Sequence, residues 1–124
     1  MLSLLLDEQI SPQVATAVLA LNTEVPIVSL SDWRGGALAG ADKVLVLKGA
    51  AEEALTLVTY VLKAVAPILV ERGISGRSHG GVILVDNLSI SPAAFGDLAR
   101  ALLLCWEEQG ARDWSDRIVF LKPA

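Results

Sequence analysis

Five short apolar runs, separated by stretches of helical periodicity and by no two-residue hairpin turn, constrain this chain more than any other feature. The runs are residues 2–6, 25–30, 55–60, 81–85 and 117–121. They are mostly apolar at consecutive positions rather than alternate ones, which is the pattern of strands covered on both faces. Between them the period lengthens. Ser11-Pro12 supplies an N-cap and a first-turn proline, and Val14, Val18 and Leu21 then share one helical face. Residues 42–54 align Val44, Leu47, Ala51 and Ala54, with Asp42 in the first turn where a carboxylate suits the helix dipole. Pro67 starts a short helix that Gly73 ends, and Ser91-Pro92 opens the last one, whose stripe is Phe95, Leu98, Ala99, Leu102, Leu103 and Trp106. Strands that alternate with helices require right-handed crossovers. The expected fold is therefore α/β, a three-layer sandwich with a parallel sheet of about five strands and helices on both faces, in one domain over residues 1–124.

Composition narrows what such a domain does. Hydrophobic residues make up 53% of the 124, more than an ordinary globular domain carries. A sheet covered on both faces takes up part of that excess, and a two-fold homodimer built with the Phe95–Trp106 stripe is expected to take up more. Ten basic against fourteen acidic side chains leave a net charge of −4, which excludes nucleic-acid binding by bulk electrostatics. Cys105 is the single cysteine, so no internal disulfide and no multi-cysteine zinc site exists, and its apolar surroundings in sequence point to a buried thiol. No apolar stretch reaches the roughly 18 residues of a membrane helix, and the opening run is cut off by Asp7-Glu8 without a basic flank. The chain is expected to be cytoplasmic, without a membrane partner.

In a parallel sheet the residues that follow each strand gather along one edge, where α/β proteins bind ligands. Asp7 and Glu8 follow the first strand, Thr59 closes the third, Asp86-Asn87 follow the fourth and Lys122 the fifth, while Asp42 opens the helix after the second. Carboxylates that converge repel one another unless a cation sits among them, and oxygen-only sites suit Mg²⁺ or Mn²⁺. Such an ion polarises a phosphoryl oxygen and generates hydroxide from bound water. The plain alternative is that Asp42 caps its helix and Asp86 shapes an Asx turn.

Four segments, in this order, carry a resemblance: LLLDEQISP at 4–12, ADKVLVLKGAAEEALTLVTY at 41–60, GRSHGGVILV at 76–85 and FGDLARALL at 95–103. Together they resemble the PIN-like family of small bacterial proteins grouped with toxin–antitoxin ribonucleases. The resemblance implies a parallel sheet between helices and an acidic pocket that holds Mg²⁺ or Mn²⁺ and cleaves RNA, with an antitoxin protein as partner. By position, Asp7 matches the family's first acid and Asp42 its second. The third acid follows the LVTY-type strand, and here that position is Val61. A valine offers no oxygen to a cation, so Glu8 or Asp86 substitutes, metal affinity falls, or activity is lost. A non-catalytic PIN-like binding module is the alternative that Val61 supports.

Other residues have narrower readings. His79 precedes the fourth strand, which places it at the end of the sheet opposite the acids, in a structural hydrogen bond. Arg34, Lys63 and Arg77 are cations available to phosphates or simply solvated. Trp33, in the glycine-rich loop 31–40, is a candidate for stacking on a base, and Trp106 for core or interface. Phosphoacceptor receiver domains share the length, the fold and an acid pair after the first strand, but they require an aspartate at the end of the third, and Thr59-Tyr60-Val61 has none.

Overall fold

A computed structural model describes residues 1–60 and 62–124. Among these, the elements run β1 (Leu4–Leu6), α1 (Gln13–Leu21), β2 (Ile27–Ser29), a 3-10 turn (Trp33–Gly36), α2 (Lys43–Glu52), β3 (Thr56–Thr59), α3 (Leu62–Ile74), β4 (Val82–Leu84), α4 (Phe95–Gln109) and β5 (Ile118–Phe120). The strands form one parallel five-stranded sheet in the order β2-β1-β3-β4-β5. The architecture is the expected α/β one, with helices on both faces. No described helix is long and apolar enough to cross a membrane.

The pleat divides the strand side chains between two cores. Leu4, Leu6, Val58, Ile83 and Val85 meet Val14 and Val18 of α1 and Leu98, Ala99, Leu102 and Cys105 of α4 on one face. Leu5, Leu57, Val82 and Leu84 meet Val46, Leu47 and Ala50 of α2 and Val65 and Leu69 of α3 on the other. Neighbouring residues of one strand thus enter opposite cores, which is why the runs read as unbroken apolar segments. Each fully buried leucine or valine stabilises the fold by about 2 kcal/mol relative to exposure. The α4 stripe is used inside the chain: Leu98, Ala99 and Leu102 are buried against α1 and the sheet, with Phe95, Leu103 and Trp106 partly covered beside them.

The structure corrects several local expectations. Leu21, the last residue of α1, is 54% exposed rather than part of the buried face of Val14 and Val18. In α2 the buried face is Val46, Leu47, Gly49 and Ala50, while Val44 lies outward. That rotation follows from packing rather than period: the helix turns Gly49 toward the indole of Trp33, whose Cη2 would be 2.8 Å from a β-carbon there. Pro67 does not start a helix but lies within α3. Pro67 and Lys63, whose carbonyl loses its usual donor, both lie on the exposed side of the helix, which limits the cost of the missing bond. Gly73 does not end α3 either. The helix closes with Gly76 at φ +70, where Gly76 N–H donates to Gly73 O at 3.1 Å and Arg77 N–H to Arg72 O at 2.8 Å. This pair of bonds is a Schellman cap, and it needs the left-handed residue that glycine supplies without strain.

Candidate functional site at the carboxyl edge

Asp7 directly follows β1. Its backbone N–H continues the ladder to Val58 O of β3 at 3.0 Å, which fixes the side chain between the two central strands. The residue is 1% exposed, so its carboxylate must find partners inside the protein. Thr59, the last residue of β3, donates from Oγ1 to Asp7 Oδ2 at 2.7 Å. Glu8 N–H donates to Oδ1 at 2.8 Å. The Lys43 ammonium, at the start of α2, completes the set with a hydrogen-bonded ion pair to the same Oδ1. Both oxygens are therefore engaged, and the charge of Asp7 is balanced by a cation of the chain itself.

The remaining acids are turned to other work. Asp42 is the N-cap of α2 and accepts from Val44 N–H at 3.0 Å. Glu8 Oε1 accepts from Gly40 N–H at 2.7 Å and ties the end of loop 31–40 to the sheet edge. Asp86 accepts from Leu88 N–H at 2.9 Å and lies 3.5 Å from Ser89 Oγ in an exposed turn after β4. The structure thus brings Asp7 and Thr59 together, places Glu8 beside them, and leaves Asp42 and Asp86 in local backbone interactions. Among the described residues, no three His, Cys, Asp or Glu side chains are grouped to hold a metal ion. Val61, the position that replaces the third acid of the resemblance, lies outside the described residues.

Lys43 is the site residue that sequence reasoning passed over. A signal for it existed. A lysine in the first turn of a helix faces the positive end of the dipole, so it gains from a carboxylate elsewhere. Asp7 is that carboxylate.

The cations and aromatic residues considered for nucleic acid are placed differently from one another. Trp33 is 5% exposed and packs among Leu30, Val46, Leu47 and Ala50, so its ring is not available to a base. A tryptophan in a loop without periodicity is buried here because Gly49 leaves room for it. Its Nε1 donates to Glu53 Oε1 at 3.2 Å, and Arg34 Nε donates to Glu53 Oε2 at 2.6 Å while its guanidinium lies 4.6 Å from the Trp33 ring centroid. The hydrogen bond from Trp33, then that from Arg34, hold the Glu53 carboxyl below its usual value. Lys63 is exposed, and Arg77 is 3.9 Å from Glu71. Tyr60, next to Thr59, donates from its hydroxyl to Ile90 O at 3.0 Å, and burial pushes its ionisation up.

His79 lies before β4, at the opposite end of the sheet, in the structural hydrogen bond expected of it. Gly81 N–H donates to its Nδ1 at 3.0 Å, which assigns the ring proton to Nε2. Cys105 is buried, and that burial raises its thiol. Trp114 is buried too and donates to Gln109 O at 3.0 Å.

Comparison with family models, with curated proteins and with solved structures returns no match.

Proposed function

We propose that this chain is a non-catalytic, PIN-like module that works in the cytoplasm by binding a protein partner of the antitoxin type, rather than by metal-dependent cleavage of RNA. The observation that carries this reading is the ion pair of Lys43 with Asp7. A divalent cation needs open carboxylate oxygens, and Asp7, the acid best placed to offer them, has both already engaged. To seat an ion there, the cation must displace the Lys43 ammonium from Asp7 and so compete with a charge that the chain itself supplies. The rim supports a protein partner: Val44 and Leu45 at the start of α2 and Leu62 at the start of α3 are each about half exposed.

The ribonuclease reading keeps one specific argument. Asp7, Glu8 and Thr59 do converge at the carboxyl edge of a parallel sheet, the usual place for a site in this architecture. Mn²⁺ titrated calorimetrically into the native protein, Val61→Asp and Val61→Asp/Lys43→Met separates the two. The binding-module reading expects no heat of binding and no cleavage of a mixed single-stranded RNA pool by the native chain. It also expects metal binding to emerge only when the lysine is removed as well as the acid restored. Chelator-sensitive cleavage by the native protein, lost in Asp7→Asn, would overturn it in favour of the nuclease.

A further inference from the structure

We propose that β5 is a self-association edge, at which two copies of this chain pair antiparallel about a two-fold axis through Val119 and join their sheets into one. This does not depend on what the acidic edge does. The sheet has two outer strands, and the chain treats them differently. β2 is preceded directly by Pro26, and its Ile27 and Val28 are half-buried. β5 leaves more apolar surface open at its edge: Ile118 is 51% and Phe120 62% exposed.

The free bonding groups of β5 fix the register. Arg117 O accepts from Val82 N–H at 2.8 Å and Leu121 N–H donates to Leu84 O at 2.9 Å, so the odd-numbered residues face β4. In a parallel strand the N–H and C=O of one residue point the same way, so those of Ile118 and Phe120 point to the open edge. An antiparallel partner centred on Val119 sets Ile118 opposite the partner's Phe120. These are the residues that can exchange both bonds in a closely spaced pair.

Side chains agree with that register. Ile118 is in register with Val82 and Phe120 with Leu84, so both lie on the face covered by α2 and α3. Neither belongs to that core, because the helices stop short of β5. The two-fold arrangement places each Ile118 beside a Phe120 of the other copy, an apolar cross-strand pair. On the opposite face Val119 already packs on the α4 core and stays there.

Charge selects a second copy as the occupant. Three residues on either side of Val119 are Asp116 and Lys122, both exposed. The two-fold axis turns the Asp116 end of each β5 toward the Lys122 end of the other, whereas parallel pairing sets like charges together; Asp116, in the turn before the strand, also accepts the His79 N–H at 3.0 Å. The segment 116–122 is thus complementary to itself in one orientation only. The α4 stripe, by contrast, is consumed within the chain and offers a second copy little.

Sedimentation velocity across a micromolar concentration series tests this on the whole chain, with hydrogen exchange as a second readout. The expected results are a dimer, protection of the Ile118 and Phe120 amides that grows with concentration, and a dissociation constant at least about tenfold weaker in Phe120→Lys. Phe120 is largely exposed, so at a concentration where both proteins are monomers thermal melting of that variant should match the native chain, which separates lost pairing from lost folding. Lys122→Glu should weaken the dimer less, with the difference fading at high salt. A native chain that remains monomeric at several hundred micromolar overturns the proposal. So does a dimer that Phe120→Lys leaves intact or in which those amides stay unprotected.

Discussion

The Lys43 ammonium and the Asp7 carboxylate come from different elements, the start of α2 and the end of β1, and meet in an ion pair whose acid side chain has no exposure and whose base has 15%. A surface pair of this kind contributes about 0–1 kcal/mol. Burial changes the sign of the question: the pair matters most through what remains when one partner is removed.

Lys43→Met is expected to leave a buried carboxylate with Thr59 and the Glu8 N–H as its partners among the described residues, and to cost about 3 kcal/mol or more in urea unfolding. Asp7→Asn should cost less, because the partly exposed ammonium can turn toward water. The double change Asp7→Leu/Lys43→Met should cost less than the two single changes summed, since no buried charge is left alone. A cost for Lys43→Met below about 0.5 kcal/mol would place the pair with ordinary screened surface pairs.

Loop 31–40 gives a second prediction. Its Trp33 is held by Glu53 at the indole nitrogen and by Gly49 beneath the ring. Gly49→Ala puts a methyl 2.8 Å from Trp33 Cη2 and 3.2 Å from Arg34 Nη1. The long Arg34 side chain can swing aside, but the buried indole cannot move without opening its pocket. The expected loss is about 1–3 kcal/mol, as for overpacking elsewhere, with faster amide exchange through the loop. Unchanged stability together with an unchanged Trp33 environment in fluorescence would contradict the packing described.

These two relationships also mark where sequence reading stopped. The parallel sheet was legible because apolar runs such as 81–85 alternate with helical segments such as the Phe95–Trp106 stripe, and only crossovers join them. Asp7 and Thr59 were legible as edge residues because strand ends in a parallel sheet share one edge. Lys43 was not, since its role depends on how far α2 approaches β1, a distance that no periodicity encodes. The face of α2 was misjudged for the same reason. Val44 fits the helical period as well as Val46 does, and the choice between them is made by Trp33, a residue from an aperiodic loop. Local preference favours Pro67 as a helix start, and packing of Val65 and Leu69 on the sheet overrides that preference.

The last prediction concerns His79, whose Nδ1 accepts the Gly81 N–H just before β4. Protonation would turn that acceptor into a donor and set it against the amide. Burial lowers the His79 pKa from its ordinary value of 6.5; Asp116, with an oxygen 4.0 Å from Nε2, opposes that shift, and the Arg72 guanidinium adds to it. The folded state therefore binds the proton less well than the unfolded chain. Between the lowered folded value and about 6.5 the unfolded state holds more protons, so stability rises with pH in that window. The contribution is full above about 6.5, falls as the pH drops through the window, and levels off below the folded value. Carboxylates add their own slope at lower pH, so the native curve alone does not isolate the histidine. His79→Asn keeps an acceptor for Gly81 N–H and has no charge to gain. Denaturant unfolding of both proteins from pH 7.5 to 5 should give a difference in stability that shrinks or inverts on acidification, as the native chain alone loses ground below about 6.5. Parallel curves across that range would mean that His79 stays as easily protonated in the fold as outside it, and that its bond to Gly81 does not hold the neutral ring.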